Sequence, residues 1–177
     1  MTIAQPLRVV AFNDWVTAQG WKLWCDPSLA FVAAPLADLL AIWQAQAGSD
    51  RIPPKSKLSA RVLKPHLRYI ALFQQVTGRR YCVRLMGSQL SRTFGEMQGK
   101  FVDEVVPPEL VARWHGALDL TLAEGRPLRF TSTVAFPHLD YLQSEIFLAP
   151  LLDKQEMPSL VLGGAVLKSS AQDPKSD

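Results

Sequence analysis

Few side chains in this 177-residue chain are of a type and spacing to do chemistry, and each poses its own question. His66, His115 and His138 are the histidines, and a neutral imidazole can ligate a haem iron axially. His115 follows Trp114 in a helix-like stretch, facing a pocket edge or solvent. None of the three sits in a pattern that would orient a ligating ring, so all read as non-ligands. Cys25 and Cys82 have no neighbouring cysteine for a metal or redox motif and read as reduced thiols, Cys82 as a small buried hydrophobe on a strand. GxSxG, HExxH, P-loop and GxGxxG spacings do not occur. The paired Asp103 and Glu104 precede prolines in a turn, where solvated acids are a better reading than a general acid and base. Neither an enzyme nor a metal site is expected. Arg84 is the most suggestive cation: it alternates onto the opposite strand face from Val83 and Leu85. Its guanidinium would pair with Glu145 on a later strand or, as the second choice, hold a ligand carboxylate.

The elements that must position these groups follow from periodicity. Leu36, Leu39, Leu40, Trp43 and Ala47 recur at spacings of three and four, which predicts an amphipathic helix over 34–47 stopped by Gly48. Pro53 and Pro54 impose an extended linker, and a shorter helical stretch fits 58–67. Strands are expected at 69–76 and 81–86 around a turn at Thr77-Gly78, and short helical pieces at 89–93 and 102–105. A long helix starts at Pro108 and ends before Gly125 and Pro127, with Leu110, Val111, Trp114, Ala117, Leu118 and Thr121 on one face. Three more strands fit 128–136, 141–151 and 159–168. Residues 1–32, with turn signals at Asn13-Asp14, Gly20 and Asp26-Pro27, suit a short hairpin or an irregular cap, and 169–177 a flexible tail. The sum is an α+β domain: a five-stranded antiparallel sheet with helices on one face, an N-terminal amphipathic helix, and a pocket between sheet and helices.

Charge and hydropathy bound the environment. The longest apolar run of helical character, 35–43, is interrupted by Asp38 and falls well short of the roughly 20 residues of a membrane span. Arg8, Asp14 and Lys22 break the order a signal peptide needs, so a cytoplasmic protein without a membrane partner is expected. Net charge is +3, yet residues 51–100 hold eleven Lys or Arg against the single acid Glu96. Compensating acids elsewhere in the fold are the preferred explanation. Nucleic-acid binding is disfavoured, since the basic residues spread over helix, linker and strands instead of clustering on a recognition helix.

A resemblance adds to this reading. Phe94-Gly95-Glu96-Met97-Gln98-Gly99-Lys100, with Asp103-Glu104-Val105-Val106-Pro107-Pro108-Glu109 after it, resembles the middle of PAS domains. Leu40-Ala41-Ile42-Trp43, Arg51-Ile52-Pro53-Pro54-Lys55-Ser56, Tyr81-Cys82-Val83-Arg84-Leu85-Met86-Gly87-Ser88 and Glu145-Ile146-Phe147-Leu148-Ala149-Pro150-Leu151 look like a bacterial family of short single-domain PAS-related proteins. The linker departs from that family's pattern: lysines flank Ser56, Leu58 to Ala60 replace an acidic stretch, and Ser88 stands for threonine. The resemblance implies a PAS fold over 33–168, helix and linker included, with 1–32 as an extension outside it.

It also implies a sensory or regulatory module. On this reading a small, mostly apolar molecule enters the pocket, with Arg84, Met86, Trp114, Leu118, Phe130 and Phe147 as candidate contacts, and the signal passes to an unidentified partner protein. The alternative is a ligand-free adaptor acting through protein–protein contacts. PAS proteins commonly pair through an N-terminal helix, which makes Leu36, Leu40 and Trp43 a candidate homodimer seam. A flavin photosensor of the superfamily would need a reactive cysteine in an Asn-Cys-Arg-Phe-Leu-like helix, a context Cys82 lacks. No haem or flavin motif is recognised, and the cofactor is left open.

Overall fold

The computed structural model describes residues 7–48, 51–134, 138–139 and 142–169. The runs Ile146 to Leu152 and Leu160 to Leu162 are apolar without alternation, and a strand of that kind must be covered on both faces. They are the centre of a six-stranded sheet in the order β1-β4-β5-β6-β2-β3, antiparallel throughout. The strands are β1 (Leu23–Asp26), β2 (Ile70–Val76), β3 (Arg80–Met86), β4 (Leu128–Thr133), β5 (Leu142–Leu152) and β6 (Pro158–Ser169). The five expected strands are all present, and β1 adds a sixth at the edge.

One face of the sheet carries α1 (Leu7–Ala18), α4 (Ser88–Phe94), α5 (Val102–Val105) and α6 (Pro108–Glu124). Val9, Phe12, Val16, Leu90, Val102, Leu110 and Leu118 pack there on Phe73, Val83, Phe130, Leu148 and Val161. The other face carries α2 (Ala34–Ala47), whose Leu36, Leu39 and Trp43 pack on Ile70, Leu72, Phe147, Ala149 and Leu162. Trp43 is fixed further by its indole N–H, which donates to the Pro150 carbonyl at 2.9 Å. Gly164 lets α2 approach: a Cβ there would stand 2.6 Å from Leu39 Cδ1. The connection from α2 to β2 runs through α3 (Ala60–Leu63) and 3₁₀ turns at Lys55–Lys57 and Lys64–Tyr69.

Residues 7–26 differ from the expected hairpin or irregular cap. Val9, Phe12 and Val16, spaced by three and four, form a buried helical stripe, and Asn13, despite its turn chemistry, lies inside the helix. Its buried amide accepts from the Cys25 N–H and donates to the Cys25 carbonyl, both at 2.9 Å, so one side chain completes the outer edge of β1. The opposite edge is finished in the same spirit. On β3 the Val83 N–H donates to the Lys100 carbonyl at 2.9 Å, and the Gly99 N–H to the Val83 carbonyl at 2.7 Å.

A β-bulge breaks the alternation of β3. Phe73 pairs with Val83 and Leu72 with Leu85, so Arg84 is an extra residue with no partner on β2. Val83 and Met86 therefore share the α6 face, whereas strict alternation would have put them on opposite faces.

Candidate functional site

Between the sheet and α6 lies a cavity of about 140 Å³. Its floor comes from alternate positions of the central strands: Ala71 and Phe73 on β2, Ile146 and Leu148 on β5, Gly163 and Ala165 on β6. Its roof is the apolar stripe of α6, Leu110, Trp114, Ala117 and Leu118, continued by Leu90, Phe94 and Met97. Trp114 stands edge-on to Phe73 and to Phe94, each with ring centroids 6.2 Å apart, which makes an aromatic wall. Leu23 of β1 closes part of the far side.

The polar groups of the wall converge in one corner. Arg113, Ser132 and Ser144 line the cavity, and all three are buried. Arg113 Nη2 donates to the Ser132 hydroxyl, to the Thr133 carbonyl at 2.9 Å and to the Lys22 carbonyl at 3.4 Å. The Ser144 hydroxyl donates to the Ser132 carbonyl at 3.3 Å. Burial lowers the Arg113 pKa. Arg113 is absent from the residues expected at a pocket, yet its spacing carries a signal: Leu110, Arg113, Trp114, Ala117 and Thr121 all fall on the face of α6 that turns inward.

Of the side chains expected at a pocket, Met86, Trp114 and Leu118 line this cavity and Arg84, Phe130 and Phe147 do not. Phe147 sits between Ile146 and Leu148, so the pleat sends it to the opposite face, where it packs on Phe31 at 5.9 Å. Phe130 is on the cavity side but covered by α1, edge-on to Phe12 at 5.8 Å. Arg84 is exposed on the outermost strand, its Nε donating to Gln74 Oε1 at 2.7 Å.

The expected Arg84–Glu145 pair does not form, because β3 and β5 are three strand spacings apart, about 14 Å. Glu145 instead takes Arg129 Nε at 2.6 Å and the backbone N–H groups of Val32 and Ala33 at 2.9 and 2.7 Å. Arg129 Nη1 reaches Asp26 at 2.8 Å. Burial alone would raise the Glu145 pKa; the Val32, Ala33 and Arg129 donors outweigh it and hold the carboxyl below its usual value.

The residues expected at a homodimer seam, Leu36, Leu40 and Trp43, all pack on the protein's own sheet. Leu36 and Trp43 are buried there and Leu40 is half-buried.

The histidines lie away from the cavity wall. His66 is buried against Tyr69, His115 packs on Tyr81 with ring centroids 5.4 Å apart, and His138 is exposed. Cys25 and Cys82 are buried and line no part of the cavity. Among the described residues no group of three or more His, Cys, Asp or Glu is placed to hold a metal, and no helix is long and apolar enough to cross a membrane. The basic middle meets some of its compensating acids here: Arg79 pairs with Asp119 at 2.7 Å, and Arg80 with Asp103 at 2.8 Å and Glu104 at 3.1 Å.

Among solved structures the chain is similar to an RNA-binding Light-Oxygen-Voltage receptor, with 15% identity and a TM-score of 0.46 over 92% of this chain and 44% of that one. It is also similar to the LOV protein of Rhodobacter sphaeroides, at 14% and 0.44 over 64% and 70% of the two chains. A third is a sensory box sensor histidine kinase from Vibrio cholerae, at 20% and 0.42 over 65% and 91%. The chain thus spans less than half the length of the first of these. No curated protein matches its sequence. A family model described as a PAS domain matches residues 32–166, from two residues before α2 into the last strand. The match takes in α2, the β2–β3 hairpin, the helical crossover, β4, β5 and all but the last three residues of β6, and the chain belongs to the PAS domain family.

Proposed function

We propose that this protein is a sensory PAS domain that takes a small, mostly apolar molecule into the cavity beneath α6 and passes the resulting change to a partner protein. The observation that carries the reading is the cavity itself. At about 140 Å³ it is close to the roughly 150 Å³ of an engineered apolar cavity that binds benzene, and its wall is apolar apart from one polar corner. The response follows from mass action: a ligand that prefers one arrangement of α6 against the sheet shifts the population toward it.

Native mass spectrometry of the purified protein tests this, together with thermal unfolding in the presence of benzene or toluene. Ala117→Leu adds three carbons at the cavity roof, and each newly buried methylene contributes about 0.8 kcal/mol. The variant is expected to unfold up to about 2 kcal/mol later than the parent and to lose both the retained mass and the stabilisation by the aromatic probes. A parent protein with a clean apo mass that neither probe stabilises would overturn the reading in favour of a ligand-free adaptor. The adaptor reading draws on Trp24 and Val32, large apolar side chains that are exposed.

A further inference from the structure

Arg113 is 8% exposed, and among the described residues no carboxylate pairs with it. Its three hydrogen bonds all use Nη2 and all go to neutral oxygens, those of Ser132, Thr133 and Lys22. Among the described residues Nε and Nη1 make no hydrogen bond, and neither is sealed from solvent, so their three N–H donors are open to water or to a ligand. Desolvation by burial lowers its pKa.

A structural clamp between α6 and the end of β4 would not require a charge. Lys22 O already accepts from the Thr133 N–H at 3.0 Å, and Thr133 O from the Ser132 hydroxyl at 2.9 Å, so neither carbonyl depends on the guanidinium. A largely buried guanidinium with no counter-ion among the described residues is costly, and an anion arriving from solution offsets part of that cost. The cavity beside it is otherwise lined by aliphatic, aromatic and glycine residues apart from Ser132 and Ser144. That combination selects a molecule with one negative end and one apolar body.

We propose that the cavity takes a small monocarboxylate, its apolar part about the size of one ring or a short chain, and its carboxylate held by the free donors of Arg113 beside Ser132 and Ser144. The proposal rests on the ligand-cavity reading given above and adds the chemical class of the ligand.

Matched probes separate the two. Isothermal titration of the full chain compares benzoate with benzyl alcohol and hexanoate with 1-hexanol, each pair sharing its apolar body and differing in charge. The carboxylates are expected to bind roughly tenfold to a hundredfold tighter than their alcohols, the value of charge-assisted hydrogen bonds. Arg113→Met is expected to erase that advantage while leaving the alcohol affinities within about threefold. Arg113→Lys, which keeps a charge, is expected to retain part of it. If the alcohols bind the parent protein as tightly as the carboxylates, the carboxylate assignment fails and the cavity reading stands. If neither series binds, both fail. The parent comparison decides the matter even where Arg113→Met does not fold.

Discussion

Glu145 and Arg129 should prove energetically coupled, and Glu145 and Arg84 should not. The Glu145 carboxylate collects three donors from two places: Arg129 on β4, and the Val32 and Ala33 amides where the chain enters α2. The side chains of Arg129 and Glu145 are only 14% and 12% exposed, so solvent screens the pair little. Removing one member of a buried pair costs about 3–5 kcal/mol. Glu145→Ala belongs at the low end, near 3 kcal/mol, because Asp26 still holds Arg129 and water can reach the exposed Val32 amide. Urea unfolding of Glu145→Ala, Arg129→Met and the double variant is expected to give a coupling of about 1–3 kcal/mol, whereas the cycle with Arg84→Met should be additive within about 0.5 kcal/mol.

The pH dependence has a definite sign. Asp26 and Glu145 both have folded pKa values below their ordinary ones. For Asp26, burial pushes up, and the Ser28 and Arg129 donors push down harder. Their stabilisation is therefore present above the unfolded carboxylate pKa, about 4, and disappears as pH falls through the lower folded values. The Glu145→Ala variant should lose less stability than the parent over that acid range. Coupling of Glu145 to Arg84 as strong as to Arg129, or an unchanged acid profile in the variant, would refute the assignment.

Two further outcomes are expected. Gly116→Ala places a Cβ 2.6 Å from the Trp15 ring, which is itself packed edge-on to Trp21 at 4.9 Å; overpacking of about 1–3 kcal/mol should outweigh the helix-propensity gain of about 1 kcal/mol, and urea unfolding should show a net loss. Cys25 should resist thiol reagents in the folded protein: burial pushes its pKa up to about 12, so a Cys82→Ser variant at pH 8 is expected to react with a disulfide reagent only as fast as urea unfolds it.

Most of the framework is written in local pattern. The stripe Leu36, Leu39, Trp43 marks α2, and Pro108 and Gly125 bracket α6, because a helix of that length must bury one face and end where the backbone permits. The site is less legible for three physical reasons. The bulge at Arg84 inserts one residue into a regular alternation, a tertiary event with no local marker, and it moves Met86 onto the cavity face. Glu145 finds its partner across strands, so its choice of Arg129 over Arg84 depends on sheet order, which residue spacing does not encode. Arg113 sits on an apolar stripe where a cation reads as an interruption; only the surrounding burial turns it into a feature of the wall. The N-terminal helix escaped because Asn13-Asp14 has turn chemistry, while its amide serves the edge of β1.

That last arrangement restricts how the domain can meet other proteins. Strand addition, in which a partner extends a sheet through backbone hydrogen bonds, needs an open edge. At β1 the Asn13 amide occupies the donor and acceptor of Cys25 as a neighbouring strand would, and at β3 the 99–101 segment occupies those of Val83, with a bridge from Cys82 to Phe101. Both borders of the sheet are thus sealed at mid-strand by the chain itself. An extended peptide adding to either edge would have to displace these bonds, so a partner of this domain would be expected to read side-chain shape and identity before generic backbone pairing.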